Sequence, residues 1–396
     1  MIIGIVGKAN VGKSTFFKAA TLAEVEIANY PFATIKPNSG IGYVKVDCAD
    51  KDFGVQCNPR TGYCINHKRF VPVQLIDVAG LVPGAHEGKG MGNQFLDDLR
   101  PADVLIHVID VAGTTNEKGE PTNSSYDPAN DVRFLETELD MWYLGIFKKV
   151  WDRFAKVVRQ EHKDIAKAIA RQFSGLKVTE ELVKKKVKEL ELKEDITKWS
   201  ENELIAFVKA LRKATKPMVI ACNKIDVPGA EENLKRLKNE FPDNIFIGCC
   251  AECELALKEA AKKGIIEYIP GESSFRITNK ELLDERQKKA LEFMSEFLKK
   301  HKTTGVQDIL NVAVFDVLKY IAVFPGGINK LADKDGNVLP DCFLLPENST
   351  ALDFAYAIHT DLGDKFIRAI DVRKRITIGK EHVLKNRDVI EIISDK

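Results

Sequence analysis

Ile2-Ile3-Gly4-Ile5-Val6-Gly7-Lys8-Ala9-Asn10-Val11-Gly12-Lys13-Ser14 is the stretch of sequence that decides the fold. It joins a short apolar, β-branched run directly to residues that fit G-x-x-x-x-G-K-[ST] without a mismatch. This order predicts a buried strand, a glycine-rich loop and a helix over about Lys13 to Ala20. The backbone N–H groups of such a loop, and the helix N-terminus behind it, point at a bound phosphate. The stretch therefore predicts a nucleoside triphosphate site.

Two side chains of this stretch have specific roles in binding a triphosphate. The Lys13 ammonium reaches the β- and γ-phosphates, and the Ser14 hydroxyl can bind Mg²⁺. An ordinary glycine turn is the alternative, but the strand before the loop and the helix after it are the context that the motif requires. The predicted nucleotide-binding residues of this loop are Gly7, Lys8, Ala9, Asn10, Val11, Gly12, Lys13, Ser14 and Thr15.

The composition is that of an ordinary soluble globular protein. The 396 residues are 44% hydrophobic and 30% charged with a net charge of +1, so the overall charge predicts no particular partner. The length allows two or three domains. No apolar run approaches the ~18 residues that a membrane span needs, and the N-terminus reads as a core strand. We therefore predict a cytoplasmic protein without a membrane partner.

Two later segments predict contacts with the metal ion and the γ-phosphate. Asp77-Val78-Ala79-Gly80 fits D-x-x-G at the end of a predicted strand, where Asp77 can hold Mg²⁺ and the Gly80 N–H can meet the γ-phosphate. Thr34 lies on a loop bracketed by two prolines, and such a threonine can also close over the metal. A proline-rich connector is the alternative for that loop. Leu81 follows Gly80 and cannot orient an attacking water as a glutamine would.

The base specificity is predicted by Asn223-Lys224-Ile225-Asp226, which fits N-K-x-D after a buried strand. The Asp226 carboxylate can accept from guanine N1–H and the exocyclic amine, a donor pair that adenine does not present. Asn223 would brace the phosphate loop and the Lys224 stem would cover the base. Cys250, Ala251 and Glu252 follow the next predicted strand, where the Ala251 N–H is placed to contact guanine O6.

The order of these motifs predicts an interrupted α/β domain. Lys13 and Lys224 lie farther apart than a typical domain is long, so the helical pattern between them reads as an insertion. We predict a doubly wound, mostly parallel sheet over 1–130 and 216–320, the second part including connecting helices, a helical insertion over 131–215, and a small α+β module of the ubiquitin-like kind over 321–396. In that module, strand patterns appear over Gly327 to Ala332 and Val338 to Leu344.

The predicted insertion carries a basic stripe at helical spacing. Such a stripe is either a solvated helix face or a surface for the phosphate backbone of an RNA, and the sequence leaves both open. Its members are Lys149, Arg153, Lys156, Lys163, Lys167 and Arg171.

A polar segment between two predicted strands contains Cys48, Cys57, Cys64 and His67. Four soft ligands at close spacing suggest zinc, although there is no C-x-x-C pair. A Cys57–Cys64 disulfide and three ordinary free thiols are the alternatives.

Together these motifs resemble the Obg-related GTPases of the TRAFAC class, and within them the YchF or Obg-like ATPase branch. The resemblance runs nearly end to end. It is carried by Gly7 to Ser14, Asn29 to Asn38, Asp77 to Gly90, Asn223 to Asp226, and Asp353 to Thr360, which looks like part of a TGS domain with a β-grasp fold.

The resemblance implies further properties. It implies association with ribosomes or translation through the basic insertion and the TGS domain, and a hydrophobic residue, here Leu81, in place of the catalytic glutamine. It also implies that Asn10 can bind K⁺, whose charge can substitute for an arginine finger. The YchF branch often has a degenerate N-K-x-D and can prefer ATP, whereas this chain keeps the motif whole, so we predict GTP over ATP.

The function predicted is a Mg²⁺-dependent switch that binds GTP and hydrolyses it slowly to GDP and phosphate. Lys13, Thr34, Gly80 and Asn10 are the predicted catalytic residues, and Ser14, Thr34 and Asp77 the Mg²⁺ ligands. A nucleotide-stabilised RNA or ribosome adaptor, and an ATP-preferring ATPase, are the alternatives. The sequence gives no prediction of oligomeric state.

Overall fold

The structure is a computed structural model that describes residues 1–22, 39–78, 98–123, 126–279, 281 and 283–395. It divides into two compact units, the first formed by Met1–Phe17 and Leu75–Ala251 and the second by Lys18–Gln74 and Glu252–Lys396. Thr34, Gly80 and Leu81 lie outside the described residues, so the structure does not address the predictions made for them.

The strands of the described chain are, in order, β1 Ile2–Val6, β2 Ser39–Asp47, β3 Tyr63–Ile65, β4 Lys68–Asp77, β5 Val104–Asp110, β6 Met218–Asn223, β7 Ile245–Cys249, β8 Ile266–Tyr268, β9 Phe275–Ile277, β10 Tyr320–Pro325, β11 Phe343–Pro346, β12 Phe366–Asp371, β13 Ile376–Ile378 and β14 Val389–Ser394. The α-helices are α1 Lys13–Thr21, α2 Ala129–Lys148, α3 Trp151–Gln160, α4 Ile165–Gln172, α5 Glu180–Glu189, α6 Glu201–Thr215, α7 Ala230–Glu240, α8 Ala251–Lys262, α9 Glu285–His301, α10 Val306–Asn311, α11 Ala351–Ile358 and α12 Thr360–Asp364.

The first unit is built on a sheet with the order β4-β1-β5-β6-β7, to which β4 contributes its last three residues. The β1–β5, β5–β6 and β6–β7 pairs are parallel, with Gly4 opposite Leu105 and Ala221 opposite Ile247. All seven residues of β5 are buried, as expected for a parallel strand covered on both faces. Because these strands are parallel, their carboxyl ends meet at one edge of the sheet, where ligands bind in such folds.

Five helices, α2 to α6, stand between β5 and β6 in the chain. Their core is aromatic: Phe147 stacks on Phe173 with ring centroids 3.7 Å apart, and Trp199 packs edge-on against Phe207. Helix α6 begins with a capping box in which Ser200 and Glu203 satisfy each other's backbone N–H groups. The six basic residues of the predicted stripe all lie exposed on this helical block.

The second unit contains an antiparallel hairpin and a five-stranded sheet. Strands β3 and β4 form the hairpin, and β2 lies beside β4. The larger sheet has the order β11-β10-β14-β12-β13, with β10 and β14 parallel and the other pairs antiparallel. Helix α11 starts at the N-cap Thr350, whose hydroxyl accepts from the Asp353 N–H. A small β-grasp module follows from this arrangement.

The first strand of this module differs from the sequence prediction. We expected a strand over Gly327 to Ala332, but the structure has β10 at Tyr320–Pro325. The prediction is wrong because the apolar residues of β10 directly follow a helical run, and their pattern reads as its continuation. Beyond the strand, the Asp333 carboxylate accepts from the backbone N–H groups of Asp335 and Asn337, which makes a turn instead of a strand.

Candidate nucleotide site

The phosphate loop is held in shape by the first residue of N-K-x-D. The Asn223 Nδ2 donates to the Val11 carbonyl at 2.8 Å, and both groups are buried. A Cβ at Gly12, where φ is +89°, would stand 2.2 Å from the same nitrogen. Glycine is required there because a side chain would displace the asparagine that braces the loop. A buried hydrogen bond therefore joins the phosphate loop to N-K-x-D, although the two motifs are distant in sequence.

The side chains predicted to contact the phosphates and the metal lie at the start of α1 and the end of β4. Lys13 Nζ forms an ion pair with the Asp77 carboxylate, and the two side chains are 10% and 18% exposed. Ser14 is exposed and Thr15 is half-buried. A hydroxyl and a carboxylate at the carboxyl end of a strand are oxygen ligands of the kind that Mg²⁺ takes. The donor set of Ser14 and Asp77 therefore fits this metal.

Lys8 has a different role from the one its place in the motif suggests. Its side chain is buried and points away from the loop, where Nζ pairs with Asp131 at 2.9 Å and donates to the Thr115 carbonyl at 3.0 Å. The same nitrogen lies 3.8 Å above the ring of Tyr126. Burial raises the pKa of Asp131, although the Lys8 charge opposes this shift. The Lys8 side chain therefore anchors the loop, and only its backbone can contact a phosphate.

Asn10 is in contact with a turn that no nucleotide-binding motif includes. It has a φ of +61°, and its Nδ2 donates to the Gly119 carbonyl at 2.9 Å. This bond does not use the side-chain Oδ1, which is the atom that a K⁺ ion would bind. The sequence reasoning missed the turn around Gly119 because its only signal was the glycine itself.

The residues expected at the base lie at the ends of β6 and β7. Lys224, in a left-handed conformation with φ +64°, donates to Asp110 at 2.8 Å and to Thr114 at 2.9 Å. Burial opposes the ionisation of Asp110, but Lys224 and the Thr114 hydroxyl outweigh it and hold the pKa of this carboxyl below its ordinary value. Asp226 is exposed and makes no hydrogen bond or ion pair with the described part of the chain. Its carboxylate is open to a ligand.

The segment after β7 differs in part from expectation. The Ala251 N–H donates to Asn223 Oδ1 at 3.0 Å, and Ala251 is fully buried. The expected contact of this N–H with guanine O6 is therefore not open in this structure. Cys250 is buried and Glu252 is exposed.

The cysteine segment lies in the second unit. All eight cysteines of the chain are free thiols, so the structure contradicts the Cys57–Cys64 disulfide alternative. Cys48 Sγ lies 3.5 Å from Cys57 Sγ, well beyond the ~2.05 Å of a disulfide. Cys48, Cys57 and Cys64 form a group of possible ligands with Asp50, which sequence reasoning missed. His67 lies behind Asp50, with Nδ1 3.0 Å from Asp50 Oδ1.

Family models match three parts of the chain. The model described as "50S ribosome-binding GTPase" matches residues 2–136, "Obg-like GTPase YGR210-like, G4 motif-containing domain" matches 221–326, and "TGS domain" matches 331–394. A GTP-binding protein of Methanocaldococcus jannaschii is 51% identical over 394 residues, which cover 99% of each chain. The chain belongs to the Obg-like, YchF-type family of GTP-binding proteins.

Other members of this family extend the comparison. The crystal structure of a GTP-binding protein from Pyrococcus horikoshii covers 100% of both chains with a TM-score of 0.80 and 39% identity. The ribosome-binding ATPase YchF of Mycoplasma genitalium is 36% identical over 264 residues, 65% of this chain and 66% of that protein. The expected G domain and C-terminal TGS domain are confirmed. No helix in the described residues is long and apolar enough to cross a membrane.

Proposed function

We propose that the protein is a Mg²⁺-dependent GTPase that acts as a molecular switch. The observation that carries the proposal is the bond from Asn223 to the Val11 carbonyl, which joins the phosphate loop to the segment that selects the base. Because both ends of the site are fixed to each other, a nucleotide that satisfies the phosphate loop also meets Asp226. The names of the relatives, which describe GTP-binding proteins, support this proposal.

The choice of GTP over ATP rests on Asp226. An exposed carboxylate without a protein partner can accept two hydrogen bonds from guanine, and adenine offers no matching pair of donors. A site built to accept hydrogen bonds rejects an analogue that lacks the donors, since the bound base would cover the Asp226 carboxylate and leave it unpaired. A YchF relative is named as an ATPase, so the base preference is the property that most needs a measurement.

Each residue of the phosphate end would have one task. Lys13 would neutralise charge on the β- and γ-phosphates, the loop N–H groups would hold them, and Ser14 and Asp77 would orient the metal. Bound Mg²⁺ would supply positive charge to the leaving phosphate oxygens. Nucleotide binding would break the ion pair between Lys13 and Asp77, because the lysine would then pair with a phosphate and the aspartate would orient the metal.

The expected turnover is slow. The position after Gly80 is Leu81, which cannot position a water, and small GTPases without help turn over at roughly 10⁻⁴ to 10⁻³ per second. Thr34 and Gly80 would contact the γ-phosphate only in the GTP state. K⁺ bound at Asn10 would supply the charge that an arginine finger provides in other GTPases.

Binding to a ribosome or RNA is the proposed output of the switch. The six basic side chains on α3, α4 and the turns before them are exposed, and positive charge at this density attracts a phosphate backbone. Relatives are named as ribosome-binding. Sedimentation with ribosomal particles at increasing salt, in GTP-analogue and GDP states, tests this output. Equal affinity in both states would favour the alternative of an adaptor for which nucleotide is structural.

Calorimetry with GTP and ATP tests the base preference. We expect GTP to bind at least about tenfold more tightly, which corresponds to about 1.4 kcal/mol. Asp226→Asn should remove that difference, whereas Asp243→Asn, at another exposed aspartate of the same unit, should leave it intact. Equal or tighter ATP binding by the unaltered chain would contradict the GTP proposal and favour the ATP-preferring alternative. Phosphate release with Mg²⁺ and with excess chelator tests hydrolysis directly.

A further inference from the structure

A group of possible metal ligands lies in the second unit of the chain, within the segment from Cys48 to Arg69. Cys48 follows β2, Asp50 lies in a 3₁₀ helix at Ala49–Phe53, and Cys57 lies on the loop beyond it. Cys64 is the middle residue of β3. These segments bring the four side chains close together.

The distances among these atoms fit a single tetrahedral metal ion. The ligand atoms of Cys48, Asp50, Cys57 and Cys64 all lie within 4.8 Å of one another. A zinc ion bound at 2.3 Å to sulfur and about 2.0 Å to oxygen needs sulfurs about 3.8 Å apart and sulfur about 3.5 Å from oxygen. The Cys48 and Cys57 sulfurs are 3.5 Å apart, and Cys64 Sγ lies 3.8 Å from Asp50 Oδ2.

The carboxylate of this group is oriented as metal ligands are. Asp50 is fully buried, and its Oδ2, the oxygen near Cys64, accepts the Cys57 N–H at 3.0 Å. The other oxygen faces His67 Nδ1 at 3.0 Å. His67 is itself fixed by the turn between β3 and β4, where Asn66 and His67 both have positive φ and the His67 carbonyl accepts the Cys48 N–H. Such outer partners fix the orientation of a ligating side chain.

One sulfur of the group lies beside a buried positive charge. The Arg69 side chain is fully buried, and its Nη1 lies 3.6 Å from Cys57 Sγ. Its other hydrogen bonds within the described chain go to the carbonyls of Leu339 and Pro340, which carry no charge. A buried guanidinium needs a counter-charge, and among these partners only the sulfur can provide it. Three thiolates and one carboxylate around a divalent ion leave a net negative charge, and Arg69 offsets part of it.

We propose that Cys48, Cys57, Cys64 and Asp50 bind one zinc ion, with His67 and Arg69 as outer partners. Thiolates select zinc over Mg²⁺ and Ca²⁺, and a closed set of four protein ligands makes the site structural. The bound metal ties β2, the loop through Cys57 and the β3–β4 hairpin together.

The same segment supports part of the C-terminal chain within this unit. Asn58 Oδ1 accepts the Val338 N–H, and Asn58 Nδ2 donates to Asn337. Arg69 binds the next two carbonyls, as described above, and Arg387 donates to the carbonyl of Asp47 at 2.8 Å. Loss of the metal would therefore loosen the segment 337–341 as well as the cysteine loop.

Metal analysis of the full chain tests the proposal. The chain is produced without a polyhistidine tag, kept reduced, incubated with zinc and separated from free metal before elemental analysis. We expect one zinc per chain, and Co²⁺ in its place should give the thiolate charge-transfer and tetrahedral ligand-field bands of a sulfur-rich site. Substoichiometric zinc after loading, stoichiometric iron, or a cobalt spectrum without the thiolate band would overturn the proposal.

Variants then test the ligand set. Cys64→Ser is the first choice because this thiol is only half-buried, and Asp50→Asn is the second. Each of these two variants should abolish stoichiometric zinc binding. His67→Ala should weaken zinc affinity by roughly 10- to 100-fold. Cys342→Ser, a half-buried thiol of the same unit outside the group, is the matched control and should keep the metal. Full zinc content in both ligand variants, or loss in the control, would contradict this set of ligands.

Amide exchange of the unaltered chain, measured with zinc and after chelation, gives a readout that does not depend on any variant folding. We expect faster exchange at 48–69 and 337–341 without metal and unchanged exchange along β5. Exchange rates at 48–69 and 337–341 that are the same with zinc and after chelation would rule out a structural role for the metal. GTP affinity measured on the same samples keeps this test separate from the nucleotide proposal.

Discussion

Two lysine–aspartate pairs lie at the carboxyl edge of the same sheet, and they differ in what surrounds them. Lys13 and Asp77 are reached by solvent on both sides of the pair, with side chains 10% and 18% exposed. In the second pair the Lys224 side chain is 28% exposed but the Asp110 carboxylate is fully buried, where it accepts from Lys224, the hydroxyls of Thr114 and Thr115, and the Ala112 N–H. Within the part of the chain that the structure describes, the side chains of Lys13 and Asp77 bond only to each other, whereas Lys224 and Asp110 belong to a network.

We interpret this difference as one of role. Lys13–Asp77 would be broken by a bound ligand, whereas Asp110 would hold Lys224 in position for the ligand. On the proposed function, a phosphate would replace Asp77 as the partner of Lys13 and a metal ion would replace Lys13 as the partner of Asp77, so the pair would balance charge until nucleotide binds. Opening Lys224–Asp110 would leave a buried carboxylate without its cation, which is strongly unfavourable. The pair with Asp110 therefore keeps Lys224 in its left-handed conformation, at the position proposed to contact the base.

The largest expected effect is on nucleotide affinity. Lys13→Ala removes charge-assisted hydrogen bonds worth about 1.5–3 kcal/mol each, so we expect GTP affinity to fall on the order of 10²- to 10³-fold. Lys224→Ala should cost no more than about tenfold, since it removes only contact with the base and support from Asp110. Calorimetric titration of both variants measures the two losses. A larger loss for Lys224→Ala would reverse the roles assigned to the pairs.

The next effect is on stability and has the opposite order. Asp110→Asn removes the charge of a buried carboxylate that accepts from Lys224 and two threonine hydroxyls, and should lower the free energy of unfolding of the first unit by about 3 kcal/mol. Asp77→Asn should lower it by only about 1 kcal/mol, because within the described residues this carboxylate accepts from Lys13 alone. Denaturant titration without nucleotide compares the variants. Equal losses would show that the burial of Asp110 does not distinguish the two pairs.

A third effect concerns the pH dependence of stability and involves β5, the strand that ends at Asp110. Burial, with the Lys8 charge adding to it, lowers the pKa of His107 on β5 from 6.5 to about 3. The unfolded chain therefore binds one more proton than the folded chain between these pH values. Stability should fall as the pH drops through this window, by up to about 1.4 kcal/mol per pH unit, and should not change above it on account of this histidine.

His107→Gln, which cannot take up this proton, provides the comparison for the pH effect. The variant should lose less stability than the unaltered chain between pH 6.5 and 3, as measured by denaturant midpoints at each pH. Any loss due to Asp110 begins only below pH 3.8, at the acid end of this window, because its folded-state pKa lies below that ordinary value and its stabilising contribution is lost as the pH falls from 3.8 through the folded-state pKa. Parallel curves for both proteins would contradict the assignment to His107.

The smallest expected effect is on turnover and concerns the Lys13 end alone. Replacing K⁺ by Na⁺ should slow GTP hydrolysis severalfold if the charge of K⁺ completes this end of the site. Asn10→Ala should remove the difference between the two ions. Single-turnover phosphate release in each salt is the measurement, and a difference that persists in the variant would exclude Asn10 as the ligand.

Local sequence predicted the backbone of the nucleotide site well. Ile2 to Val6 and the helix from Lys13 follow from β-branched residues, glycine placement and periodicity, all of which act within a few residues. The position of Asn223 beside the phosphate loop also followed, because parallel strands bring their carboxyl ends to one edge.

Side-chain partners were harder to predict because they depend on packing between distant segments. Lys8 belongs to the phosphate motif by sequence, yet its ammonium lies with Asp131 in the interior. Asp50 joined the cysteine group although no spacing rule includes it, since a short 3₁₀ helix turns its carboxylate toward the thiols. Neither placement follows from residue type, because each requires the path of the chain between the partners.

Gly119 shows how a residue outside every motif can be as restricted as one inside. A Cβ at this position, where φ is +80°, would stand 2.7 Å from the Ala9 carbonyl oxygen and 2.8 Å from the Ala9 Cβ. In a library randomised at position 119 and selected for GTP binding, glycine should be recovered about as exclusively as at Gly12. The information that specifies the phosphate loop is thus spread beyond the residues that spell its motif.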